Sequence, residues 1–330
     1  MKLHRNIKIF INYFLGPLLF IWLSWSIYQQ VKHQPDIEKT WQNIRESLSG
    51  NRILFLIAVF LLMIVNWGIE ALKWKISVKS IQEVSLFRSL QAVFSGVSFS
   101  VSTPNRIGEY LGRVLYMDEG NRLRTISTTI VGSLSQLIIT LLAGCIGLFV
   151  LKQRIVAAGL ISISWMNVII YGTIAVTLIL LLFYYRLSFI VRWAEKLPKN
   201  KKFNYLIQAI ETFDSSLLTR LLLLSLLRYS VFILQYYFLF TFFDVHIPWW
   251  DSLWSVTVSF LVMAAIPTIA IAELAQRGKV VTTITGLFSA NQLGMTFATA
   301  GIWFINLIIP AIIGSLLILR IKIKSRNNRD

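Results

Sequence analysis

Runs of about twenty apolar residues recur along this chain, separated by clusters of lysine and arginine. That alternation constrains the fold more than any other feature. A helix needs about 20 apolar residues to cross the hydrocarbon core of a bilayer. Runs of this kind cover residues 10–29, 53–72, 125–151, 166–185, 217–243 and 294–319. In lipid, a spanning segment must satisfy its own backbone hydrogen bonds, so each run is read as a helix. Composition supports the reading. Of 330 residues, 56% are hydrophobic and 14% charged, against roughly 25% charged in a soluble domain. Too few charges remain to coat a soluble globule, and disorder or a collagen-like fibre is excluded. The 32 Lys and Arg outnumber the 15 Asp and Glu, giving a net charge of +17. In a soluble protein that excess would point to nucleic acid. Here the cations sit between apolar runs, where anionic lipid headgroups are the natural partner, and no nucleic acid is expected.

The N-terminus reads MKLHRNIK before the first run. The run is too long for the core of a signal peptide and no small-x-small site follows it, so it is expected to be an uncleaved first helix. Two other apolar stretches, 89–104 and 252–270, are short, rich in Ser, Thr and Ala, and meet Pro104 and Pro267. Such segments enter a membrane and turn back where protein or a water-filled cavity covers the freed backbone. Lys and Arg orient the chain. They cluster in the N-terminus, in 73–88, in 186–202 and in the tail, whereas Tyr229 to Gln276 contains none. Both termini are therefore expected inside and residues 244–251 outside. Lys32, Lys39, Arg45, Arg52, Lys152 and Arg154 run against this scheme. The expected fold is all-α: one polytopic membrane domain over residues 1–330, with about six full spans, two re-entrant hairpins and a basic cytoplasmic tail at 320–330.

The two re-entrant stretches resemble each other. One reads SVSTPNRIGEYLGR and the other MAAIPTIAIAELAQR. In each, a proline is followed five or six residues later by Glu, and by Arg four residues beyond that: Pro104, Glu109, Arg113 and Pro267, Glu273, Arg277. The prolines lie 163 residues apart, and the flanking spans keep nearly the same offset. The orientation scheme makes 53–72 run inward and 217–243 outward. Halves at roughly 50–151 and 215–319 would then be inverted repeats, as in secondary transporters whose site lies between the repeats.

Several side chains could carry chemistry. The four-residue Glu–Arg spacing puts each pair on one helix face. At the membrane edge it would be a solvated ion pair of little energetic weight. At membrane depth it would mark a pathway or ligand. Arg106 lies one turn from Glu109, and paired guanidiniums suit phosphate or carboxylate oxygens. Arg228, in LLRYSVFILQYY, either snorkels to headgroups or faces the interior and meets Glu109 or Glu273. Glu70 and Lys73 read as a local ion pair at the interface. The tryptophans flanking the spans read as an aromatic belt, and Gly144 and Gly147 as helix-packing positions. Cys145 is the one cysteine, so no intrachain disulfide exists. His4, His33 and His246 are too far apart in sequence for metal-ligand spacing, and neither a metal nor a cofactor is expected.

At TPNRIGEYLGR, followed by a short polar stretch and a long apolar helix, the chain resembles the lysylphosphatidylglycerol synthase transmembrane-region family, over about residues 50–319. The family's first motif, proline then Gly-Arg-x-Gly-Glu and a later Arg, is matched by Pro104, Arg106, Gly108, Glu109 and Arg113. Asn105 stands in place of the first glycine. The second motif is matched by Pro267, Glu273 and Arg277, with Thr268, Ile269 and Ala270 where the family has glycines. Family members often carry Glu-Arg and a later Asp on the helix after motif one. Gly132, Ser133 and Gln136 occupy that region here.

The resemblance implies a membrane domain that binds or moves a lipid-type substrate. The expected function is a flippase-like transporter of a phospholipid or lipid-linked headgroup, anionic or zwitterionic. Its candidate site residues are Arg106, Glu109, Arg113, Arg228, Glu273 and Arg277. Arg106, Arg113 and Arg277 would hold the headgroup, and Glu109 and Glu273 would orient the arginines or take a proton. The alternatives are a membrane-embedded transferase and an accessory membrane subunit of a lipid-modifying system. For the transferase, Glu70, Glu109, Asp251 and Glu273 are the acids near membrane level, and none is paired with a histidine. Only eleven residues follow Leu319, so the soluble aminoacyl-transfer domain of the full-length synthases, and lipid aminoacylation with it, is not expected. The expected location is the plasma (inner) membrane of a bacterium, with a homodimer left open.

Overall fold

A computed structural model describes residues 50–101, 103, 107–186, 213–266 and 270–327, together with positions 25, 38, 42, 45 and 46. The candidate span 10–29 (apart from Trp25), Pro104, Asn105, Arg106, Pro267 and the basic segment 187–202 lie outside the described residues. From Ile53 on, the described helices are α1 (Ile53–Val78), α2 (Leu86–Val101), α3 (Gly108–Val114), α4 (Arg122–Ala157) and α5 (Ile163–Tyr185), followed by α6 (Ser215–Phe242), α7 (Trp249–Ala265), α8 (Ala270–Thr285), α9 (Gln292–Trp303) and α10 (Ile309–Asn327). No strand occurs among the described residues.

Five helical segments are long and apolar enough to cross a membrane: α1, Glu119–Ala157, α5, α6 and Gln292–Leu319. The chain is thus an all-α polytopic membrane protein. Its outer faces show why lipid is the required solvent. Helix α5 buries only Met166, Ile170, Thr177 and Tyr184, while Trp165, Val168, Tyr171, Ile179 and Leu182 stay exposed. An apolar face of this extent is tolerated in hydrocarbon, not in water.

Local chemistry sets the helix ends. Asp214 caps α6 by accepting from the Leu217 N–H at 2.8 Å, and Asn291 caps α9 by accepting from the Gly294 N–H at 2.8 Å. Each satisfies a backbone donor that a helix start leaves without a partner. Helix α4 outruns its apolar core at both ends, reaching 36 residues, and Thr side chains in its first turns are satisfied by bonding back to the helix. Thr125 and Thr129 donate to the Asn121 and Thr125 carbonyls. The α9–α10 segment contains a π turn at Phe304–Ile308. Pro310 follows, and it lacks the N–H that would reach the carbonyl at Asn306, so the regular ladder cannot continue there.

Two helical pairs are too short to cross. Helix α2 has 16 residues and α3 has 7; α7 has 17 and α8 has 16. At 1.5 Å per residue the longer members reach about 24–26 Å. The packing of these hairpins is reciprocal. Helix α2 lies against α10, α7 lies against α4, and α1 and α6 lie against each other. Contacts along the α1–α6 seam run in opposite directions. Arg52 meets Asp244, Phe55 meets Phe238, Asn66 meets Arg228, and Lys73 meets Ser225. The two helices are therefore antiparallel. Gly144 and Gly147 serve the α4–α7 contact: a Cβ at either position would meet Leu261 or Val258 within 3.0 Å.

Candidate functional site

The antiparallel seam between α1 and α6 carries a ladder of polar side chains through an apolar interior. Gln235 donates to the Val59 carbonyl at 3.0 Å. Asn306, in the π turn, donates to Gln235 at 3.2 Å and accepts from Asn66 at 3.1 Å. Asn66 in turn accepts from Arg228 Nε at 2.8 Å. Polar groups are expensive at this depth unless hydrogen-bonded. Here each amide finds its partner on another helix, which fixes the register of α1, α6 and the π turn.

The ladder ends on Glu70, 4% exposed. One carboxylate oxygen accepts from Arg113 at 2.8 Å. The other lies 3.0 Å from Arg228 Nη1 and 3.1 Å from Lys73 Nζ. Arg113 also binds Glu109, and Lys73 donates to Ser225 at 3.3 Å. One buried carboxylate thus holds three cations contributed by α1, α3 and α6. Breaking such a cluster by removing one member strands a buried charge.

Beside this cluster opens a cavity of about 510 Å³. Its polar lining includes Glu109, Arg228, Glu273 and Arg277, and its apolar walls include Leu137, Phe232, Phe260, Met263, Ile266 and Leu307. Val97 and Thr103 of the first hairpin region and Ala264 of the second also border it, so both halves build it. Arg277 reaches Glu273 through Nε at 3.0 Å and Nη2 at 2.6 Å. The Arg228 guanidinium lies 5.3 Å from the Trp67 ring and 5.5 Å from that of Phe232. Both rings line the cavity, and cation–π contact there keeps the charge at its wall.

Sequence explains how Glu109 reaches this place. In GEYLG, the two glycines are four residues apart. A Cβ on Gly112 would meet the Ser95 carbonyl oxygen at 2.4 Å, and one on Gly108 the Phe99 oxygen at 2.2 Å. Only glycine lets α3 lie backbone to backbone on α2. Antiparallel packing follows, with Ser95 meeting the Tyr116 hydroxyl at 3.0 Å.

Four of the six expected site residues therefore line one cavity: Glu109, Arg228, Glu273 and Arg277. Arg113 stands behind the wall, 3% exposed and clamped between Glu70 and Glu109. It is absent from the lining, because Glu70 draws its guanidinium away. Arg106 lies outside the described residues. Arg228 faces the interior, yet its acidic partner is Glu70 rather than Glu109 or Glu273. The local reading of Glu70 and Lys73 needs correction as well. The pair forms, but both residues are buried and Glu70 also holds two arginines from other helices. Asn66 and Asn306 are not among the expected site residues. Each is a lone amide inside an otherwise apolar run, which is the signal that could have found it.

A bundle of apolar helices with two short hairpins facing a shared charged cavity defines a membrane protein built around an internal polar site. The chain belongs to the family described as lysylphosphatidylglycerol synthase TM region, whose model matches residues 13–314. Comparison with curated proteins gives no match. The family links this membrane domain to lipid handling.

Proposed function

We propose that the protein binds a phosphate-bearing lipid headgroup in the cavity and carries it between leaflets. The observation that carries this reading is the composition of one cavity: two carboxylates and two guanidiniums, drawn from both halves, set in apolar walls. The charge balance supports an anionic group. Around the cavity and the adjoining cluster, Glu70, Glu109 and Glu273 face Lys73, Arg113, Arg228 and Arg277. These residues leave one surplus positive charge in a low-dielectric interior, where an unbalanced charge is costly. A phosphate would neutralise it, held through the forks of Arg228 and Arg277. Glu109 and Glu273 would meet the ammonium of a zwitterionic headgroup, and the apolar walls would take the start of the acyl chains.

On this reading the halves are inverted repeats, their hairpins re-entrant and the termini cytoplasmic. The reciprocal hairpin packing and the antiparallel α1–α6 pair support the repeat. The experiment is translocation of a fluorescent phospholipid between the leaflets of vesicles containing the purified protein, with bound lipids identified by mass spectrometry. Arg277→Gln and Arg228→Gln should insert normally and lose both co-purifying phospholipid and translocation. Variants that retain both would overturn the proposal.

A further inference from the structure

The acid that holds Arg228 is not itself a cavity residue. Glu70 sits one layer behind the wall, and Arg228 is shared between the two places. Its Nη1 lies 3.0 Å from Glu70, while its side chain lines the cavity. Glu109 makes the second link, lining the cavity while binding Arg113, which also binds Glu70. Glu70 lies in the last third of α1. From Ile53 it lies about 25 Å along a helix of about 39 Å. Arg228 is near the middle of α6 (Ser215–Phe242). The pair is buried inside the protein rather than set on its lipid-facing surface.

One carboxylate with three cations around it is over-subscribed. Glu70 offers two oxygens, and Arg228 and Lys73 share Oε2, at 3.0 and 3.1 Å. Lys73 therefore competes with Arg228 for the same atom. Anything that strengthens the hold of Glu70 on Arg228 must weaken what Arg228 can give to a ligand. Anything that relaxes this hold must do the reverse.

We propose that Glu70 is a positioning residue that acts as a resident counter-anion, competing with the substrate's phosphate for Arg228. In the empty protein it keeps the guanidinium hydrogen-bonded and oriented by Asn66 at 2.8 Å. When a phosphate occupies the cavity, Arg228 turns part of its fork to it, and Lys73 takes the larger share of Oε2. On release Glu70 recovers Arg228. The carboxylate thereby keeps the phosphate from being held too tightly to leave, which a carrier needs and a permanent lipid site does not. No bond is made or broken in this exchange. The proposal rests on the reading that the cavity takes a phosphate.

The test is equilibrium binding and dissociation of dihexanoyl-phosphatidylglycerol, a soluble short-chain phospholipid, to the purified full chain in detergent. Two substitutions should move affinity in opposite directions. Lys73→Met removes the competitor for Oε2, so Glu70 holds Arg228 more firmly and binding weakens by about fivefold or more. Glu70→Gln frees Arg228, so binding tightens by about fivefold or more and dissociation slows. Because Glu70→Gln leaves three cations without their shared carboxylate, the double variant Glu70→Gln/Lys73→Met, which removes one charge of each sign, serves as the folding-safe arm. It should bind more tightly than the Lys73→Met protein. A purely structural Glu70 predicts weaker binding in all three. If the Glu70 variants bind no more tightly than their references while Arg228→Gln and Arg277→Gln lose the probe, the exchange is overturned and the headgroup site stands. If those two arginine variants bind like the parent, both readings fall together.

Discussion

The two halves of the molecule place the same Glu-x3-Arg pair on the returning helix of a hairpin, yet the pairs end in different states. In the second half Arg277 and Glu273 bond to each other, are 18% and 13% exposed, and both line the cavity. In the first half Arg113 is 3% exposed and divided between two acids, and only its partner Glu109 reaches the cavity. The difference comes from the neighbouring long helix. Helix α1 carries Glu70 where it meets α3, whereas α6 contains no acid from Ser215 to Phe242. One carboxylate on an adjacent helix ties the arginine of the first hairpin behind the wall, whereas Arg277 stays with its local partner at the cavity. A repeated motif therefore need not have repeated surroundings.

The sharpest way to break this comparison is to remove each arginine. Arg113→Met should cost about 3–5 kcal/mol, because it takes a partner from two acids, one of them fully buried. The result should appear as a large loss of thermal stability in detergent. Arg277→Met, whose pair is local and better solvated, should cost markedly less stability and act mainly on lipid binding. Equal stability losses in the two variants would show that the halves use the motif alike.

A smaller effect separates charge from geometry. Arg277→Lys keeps the cation but loses the planar fork, so phospholipid binding should fall about five- to tenfold. Lys73 already serves Glu70 as a point charge, and Lys73→Arg would overfill a site that is 2% exposed. Undiminished binding by the Arg277→Lys protein would mean that Arg277 contributes charge alone.

How much of this was legible in the sequence depends on whether the relevant order is local. Apolar runs gave the spanning helices, since twenty such residues in a row have few other uses. The Glu–Arg spacing and the prolines point to both hairpins and to three of the cavity's charged residues, Glu109, Glu273 and Arg277. Glu70 and Lys73 look like a local pair because they are three residues apart, whereas the burial of Glu70 is completed by Arg113 and Arg228, which lie on other helices. Asn66, Gln235 and Asn306 pair across 71 to 240 residues of sequence, so no window on the chain could join them. The ends of α4 lie beyond the apolar run because Arg122, Leu123, Arg124 and residues 152–157 are helical without being uniformly apolar.

The hairpins offer the next comparison. Gly112 precedes Arg113, whereas Gln276 precedes Arg277. Gly112→Ala puts a Cβ 2.4 Å from the Ser95 carbonyl oxygen, a backbone atom that cannot swing aside. Overpacking of this kind costs about 1–3 kcal/mol and should displace Glu109 from the cavity. Gln276→Ala should stay within about 1 kcal/mol. Thermal unfolding of the two variants decides whether backbone contact distinguishes the first hairpin.

The smallest expected effect concerns the end of the bundle where the halves meet in loops. Arg52 pairs with Asp244, and Arg154 pairs with Asp251. Arg52 and Arg154 are among the cations that count against the charge rule, and the contacts explain why they are tolerated: each has an acid from the opposite half at the same end. Arg154 is 56% exposed and 3.5 Å from its partner, so Arg154→Ala should cost no more than about 1 kcal/mol, less at high salt. Their positions matter more than their strength. Arg52, Arg154, Asp244 and Asp251 should share one membrane face, and Arg88 and Asp118, 4.0 Å apart, the other. In a Cys145→Ser background, Arg154→Cys and Asp251→Cys should react with a membrane-impermeant thiol reagent added to intact cells, while Arg88→Cys should react only after permeabilisation. Labelling of Arg154→Cys and Asp251→Cys only after permeabilisation, with Arg88→Cys open to the reagent, would invert the orientation and leave the shared-face geometry intact. Labelling of Arg154→Cys and Asp251→Cys from opposite sides would break the packing of α4 on α7, and with it the reciprocal arrangement of the halves.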